Sequence, residues 1–78
     1  MRLNYAQRAD VLYIVLTETA SPCVYLEVEP GIVCRVDEER EMVVGITVAN
    51  FNERAKAGLD IPMLVSGISA GNLLRTAH

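Results

Sequence analysis

The chain has 78 residues, 51% of them apolar and 5% aromatic, with no Trp and a net charge of −3. This is the length of one domain, and so small a domain hides only about 60% of its surface, so extra stabilisation from disulfides, metals or oligomerisation is expected. The charge argues against a phosphate-binding protein: Lys56 is the single lysine, Arg2, Arg8, Arg35, Arg40, Arg54 and Arg75 are scattered, and no nucleic-acid partner is expected.

In chain order, Arg2 to Tyr5 alternates polar and apolar, which predicts a strand with Leu3 and Tyr5 on one face. Gln7 to Asp10 is polar and breaks the pattern. Val11 to Thr17 carries the strongest strand signal, with Val11, Tyr13 and Val15 on one face and Leu12, Ile14 and Leu16 on the other. Both faces are apolar, so this strand should be central and covered twice, by the C-terminal segment on one side and a second subunit on the other. Glu18 to Cys23 is a loop. Val24 to Glu29 alternates again, placing Glu27 and Glu29 together on the outer face.

Pro30-Gly31 favours a type II turn, which twists the wrong way for a tight hairpin, so a bend or offset is expected there. Ile32 to Asp37 is the next strand, Glu38 to Glu41 a charged hairpin loop, and Met42 to Ala49 the last strand. In that strand Val44, Ile46 and Val48 should share one face, and Val43, Gly45 and Thr47 the other. Asn50 with Glu53 suggests a capping box opening a short helix, and Gly58 suits the position after its end. Ile61, Leu64, Val65 and Ile68 follow helical spacing, with Asp60 as cap and Pro62 in the first turn. Gly67 and Gly71 weaken that second helix, and the alternative is an arm crossing to a neighbouring subunit.

The start of the chain turns polar at Asn4, Gln7, Arg8 and Asp10, unlike a secretory signal, and no apolar run is long enough to span a bilayer. A cytoplasmic protein with no membrane partner is therefore expected. Cys23 and Cys34 should both be free thiols, Cys34 the more buried, since alternation sets it beside Ile32 and Val36.

No catalytic constellation stands out. Ser21, Ser66 and Ser69 lack a base, because the only His is the terminal His78. Gly67 to Gly71 superficially suggests a phosphate loop but lacks the Lys-Ser/Thr that would follow it. Glu27, Glu29, Asp37, Glu38, Glu39 and Glu41 form an acidic set without the spacing of a cation loop, and read as solvated surface. No catalytic residue, metal or cofactor is expected. The candidate ligand-binding residues are Tyr5, Tyr13 and Tyr25, as an aromatic platform, with Glu27 and Glu29 beside them.

Tyr5, the string Ala9-Asp10-Val11-Leu12-Tyr13-Ile14-Val15-Leu16, then Glu29-Pro30-Gly31-Ile32-Val33, Val36-Asp37 and Val44-Gly45-Ile46-Thr47-Val48 resemble, in order and spacing, the domain-of-unknown-function family 2283. The resemblance covers about residues 2–51. Ala6-Gln7-Arg8 departs from the Asp-Pro-Glu turn of relatives, and Glu39-Arg40-Glu41 from their Asp-Gly or Gly-Asn hairpin tip. The family carries no established activity or catalytic residues to transfer. The resemblance implies a compact sheet-based domain that partners a toxin-like protein.

The expected fold is α+β: a small antiparallel β-meander of four to five strands, then one or two short C-terminal helices. Residues 1–51 form the meander, and residues 52–78 pack on the sheet or on a neighbouring subunit. The expected function is a non-enzymatic, self-associating interaction module, antitoxin-like or a regulatory subunit, forming a homodimer or larger homo-oligomer and binding a protein partner. The alternative is a small-ligand or metal-binding domain built on the tyrosines and the acidic strand face.

Overall fold

A computed structural model describes residues 1–68 of the chain. Ser69, Gly71, Leu73, Leu74, Arg75 and His78 lie outside the described residues. The fold is α+β. Five strands, β1 (Arg2–Ala6), β2 (Val11–Val15), β3 (Cys23–Glu29), β4 (Ile32–Asp37) and β5 (Met42–Ala49), form one antiparallel sheet. Two short helices follow, α1 (Phe51–Lys56) and α2 (Ile61–Ile68). The sheet order is β1-β2-β5-β4-β3. The chain makes the β1–β2 hairpin, crosses to the far edge, and winds back through β3 and β4, so β5 closes the gap against β2 and becomes the central strand.

Alternation decides the core. Leu12, Ile14, Ile32, Cys34, Val36, Val43, Ile46 and Val48 are buried on one face of the sheet. Phe51, Leu59, Ile61, Leu64, Val65 and Ile68 from the helical segment, each half-buried, close over them. The helical spacing of Ile61, Leu64, Val65 and Ile68 is thus used as the sequence suggests. Asp60 caps α2, its Oδ1 accepting a hydrogen bond from the Met63 N–H at 3.0 Å.

Four local expectations are corrected. Pro30-Gly31 is the two-residue loop of a tight hairpin, because Glu29 pairs directly with Ile32. Gly31 has φ 87°, as a type II turn requires. A β-bulge between Glu27 and Glu29 supplies the extra right-handed twist that such a turn lacks. That bulge also separates Glu27 from Glu29. Glu27 pairs with Val33 and stands on the face away from the helices, while Glu29 pairs with core-facing Ile32 and reaches the helix side.

A second bulge lies in β5, where Arg35 pairs with Gly45 but Val36 pairs with Val43. The shift turns Val43 into the core beside Ile46 and Val48, against simple alternation, and leaves Val44 as the extra residue. The Val44 carbonyl accepts from both the Leu16 and Thr17 N–H groups, at 2.9 and 3.3 Å.

The capping box also gives way to a different device. Asn50 occupies the N-cap position of α1 but has φ 52°, and its side chain makes no cap hydrogen bond. A capping side chain needs an extended N-cap residue. Asp10, in the β1–β2 turn, takes over: its carboxylate accepts from the Asn52 N–H at 3.1 and 3.2 Å, and its carbonyl from the Phe51 N–H at 3.1 Å.

Arg54 holds the other end of α1 to the sheet. Its Nε donates to the Ala49 carbonyl at 3.1 Å, its Nη2 to the Pro30 carbonyl, and its Nη1 lies 3.5 Å from Glu29. A β-carbon on Gly31 would sit 2.8 Å from Arg54 Nη2. Gly31→Val therefore strains the backbone and displaces this arginine. The expected cost is about 1 kcal/mol or more, read as a lower denaturant midpoint; an unchanged midpoint contradicts this account of the turn.

Candidate functional site

The helices cover one face of the sheet only. The opposite face carries two rows of side chains that run across all five strands. Cross-strand pairing sets the first as Arg2, Val15, Gly45, Arg35 and Tyr25. The second is Asn4, Tyr13, Thr47, Val33 and Glu27. Residues opposed across a ladder share a face, so each row is a line of neighbouring side chains. Tyr13 is 42% exposed and Tyr25 68%, both large apolar bodies facing water.

Between the two tyrosines lies a shallow depression of about 160 Å³, lined by Tyr13, Val15, Tyr25, Arg35 and Thr47 with Gly45 among them. Gly45 makes the hollow, since it is the one position in its row without a side chain. The close approach of its neighbours enforces this: a β-carbon there would meet the Ile14 carbonyl oxygen at 3.3 Å and Arg35 Cβ at 3.7 Å.

Of the five candidate ligand-binding residues, Tyr13, Tyr25 and Glu27 lie on this open face. Tyr5 and Glu29 do not. Tyr5 is on the helix side, its hydroxyl donating to Asp10 Oδ1 at 2.6 Å and accepting from Asn52 Nδ2 at 3.2 Å. Its ring sits 5.7 Å from that of Phe51. The hydrogen bond to Asp10 raises the Tyr5 phenol above its ordinary pKa. These contacts tie α1 to the β1–β2 turn. Glu29 is occupied by Arg54.

Sequence reasoning missed Arg35, Gly45 and Thr47, because their place depends on the sheet order. Arg35 is half-buried and cationic, as an arginine is throughout the physiological range, and its interaction with the Cys23 side chain raises the guanidinium further above its ordinary value. Among the described residues neither Arg35 nor Glu27 forms an ion pair. No group of three or more His, Cys, Asp or Glu able to hold a metal occurs among the described residues.

The cysteines occupy opposite environments. Cys34 is 0% exposed in the core, and burial raises its thiol pKa; Cys23 is half-buried at the start of edge strand β3. Native thiol titration is expected to label Cys23 first and Cys34 only on unfolding. Equally fast labelling of both contradicts the register of β4.

At the end of β4, Asp37 is buried and fully hydrogen-bonded. Its Oδ2 accepts from the Thr19 hydroxyl at 2.7 Å and its Oδ1 from the Arg40 N–H at 3.1 Å. One carboxylate thus ties the β2–β3 crossover to the β4–β5 hairpin. The Thr19 hydrogen bond, and then the Arg40 backbone bond and charge, hold its pKa below the ordinary 3.8 against the effect of burial. A carboxylate depressed in the folded state contributes stability that is complete above its unfolded pKa and lost as pH falls through the folded value. Melting temperature should therefore fall on acidification below about pH 4. Asp37→Asn should melt lower at pH 7 and show less of this acid loss. Parallel acid profiles for the two proteins contradict the role given to Asp37.

The architecture defines a small α+β protein: a five-stranded antiparallel sheet with helices on one face and, among the described residues, no helix on the other. A family profile described as protein of unknown function (DUF2283) matches residues 2–52, spanning all five strands and the start of α1, and the chain belongs to that family. No curated protein and no solved structure matches the chain. No helix among the described residues is long and apolar enough to cross a membrane.

Proposed function

We propose that the protein is a non-enzymatic, cytoplasmic interaction module that associates with itself, in the manner of a small antitoxin or regulatory subunit. The observation that carries this reading is the two-sided apolar strand β2. Its Leu12 and Ile14 belong to the core on the helix side, while on the other side Tyr13 is exposed and Val11 and Val15 are half-buried, with no helix of the described residues over them. An apolar sheet face left to water is an association surface or an aggregation hazard.

The ligand or cation reading loses its geometric basis. Its five residues divide between two faces, and the two strand carboxylates are set apart by the bulge. Light scattering of the purified chain at micromolar concentration tests the proposal. At least two chains per particle supports it, and a monomer at every concentration refutes it.

A further inference from the structure

Resting on that self-association, we infer that the occupant of the open face is a second copy of this chain, docked face to face about a twofold axis. The axis runs across the strands, between the row of Val15, Gly45 and Arg35 and the row of Tyr13, Thr47 and Val33. The argument is complementarity of the face with itself. An isologous contact sets each row of one copy against the other row of its partner. Gly45 then lies against Thr47 of the partner subunit, so the hollow that lacks a side chain receives one. Val15 meets the partner's Tyr13.

The charges fall in the same register. Arg35 lies over the partner's Val33, one strand position from the partner's Glu27. Neighbouring strands are about 4.8 Å apart, within the reach of an arginine side chain. Symmetry forms this pair twice. Arg35 and Glu27 each lack an ion-pair partner among the described residues, and the docking supplies both. The sheet edges are poorer candidates for pairing with a copy. On β3 the bulge, Glu27, Glu29 and Pro30 guard the edge, and β1 offers only the five residues Arg2–Ala6.

The test is a charge exchange read by sedimentation equilibrium, with circular dichroism and melting curves to follow folding. Arg35→Glu and Glu27→Arg should each weaken the dimer about tenfold or more, because each sets like charges opposite one another across the interface. The double variant Arg35→Glu/Glu27→Arg should recover most of that affinity, because both intermolecular pairs re-form with exchanged sign. Arg35→Gln and Glu27→Gln, which add no repulsion, give a second reading and should each loosen the dimer by about threefold or more.

A dimer unaffected by these substitutions, or a double variant no tighter than the single ones, overturns the face-to-face docking while leaving self-association standing. A wild-type chain that is monomeric at every concentration overturns self-association itself, and leaves the open face to a different protein.

Discussion

Removing residues 59–78 should lower the melting temperature steeply and change the association state. The deletion strips Leu59, Ile61, Leu64, Val65 and Ile68 from the core side of the sheet. Each is half-buried, and at roughly 1 kcal/mol apiece the loss is about 5 kcal/mol. That compares with a total stability of about 5–15 kcal/mol for a whole domain. It also uncovers Leu12, Ile14, Cys34 and Ile46, giving the truncated sheet a second apolar face and a tendency to aggregate. The check is a thermal melt with light scattering on the truncated chain. Should it stay soluble with its melting temperature and particle size unchanged, the segment is a partner-binding tail, and the sheet holds itself together without it.

Ile46→Ala should be the most damaging single substitution in the sheet. Ile46 lies on central strand β5, pairs with Ile14 on one side and Cys34 on the other, and is 2% exposed. Both neighbours are backbone-paired and cannot close over a lost side chain, so a cavity remains. Large-to-small changes of this kind cost about 2–5 kcal/mol. Thr47→Ala, one residue along on the open face, removes little buried surface in the monomer and should cost less than about 0.5 kcal/mol in the dissociated chain. Denaturant unfolding at concentrations that hold the protein dissociated compares the two. Equal losses contradict the assignment of one face to the core and the other to the open side.

Much of the fold is legible in the sequence because it rests on local periodicity. The alternation of Ile32, Cys34 and Val36 locates a core-facing strand, and the spacing of Ile61, Leu64, Val65 and Ile68 locates the covering helix. Positive φ at Gly31 and Gly58 follows from glycine's freedom at turns and helix ends. What is not legible depends on residues far apart in the chain. The pairing of β2 with β5 skips two intervening strands, and no local pattern states it. The two bulges turn Val43 inward and set Glu27 and Glu29 on opposite faces, because an inserted residue resets alternation without leaving a mark in the periodicity.

The cap of α1 is supplied by Asp10, 42 residues from the N–H it binds, so a search for a cap beside the helix finds Asn50 instead. The open face shares this character. Tyr13, Tyr25 and Glu27 are visible as candidates, but Arg35, Gly45 and Thr47 join them only through the sheet order.

On the proposed docking, this domain covers one side of its sheet with its own helices and the other with a second copy of itself. Hydroxyl-radical footprinting of the unsubstituted protein through a dilution series tests it most directly, because the three tyrosines report on different faces. Tyr13 and Tyr25 should be protected at high concentration and gain reactivity as the protein is diluted, while Tyr5, held by Asp10 and Asn52 on the helix side, stays constant. Tyr13 and Tyr25 reactivities that do not change with concentration, in a protein shown to associate over the same range, would contradict it.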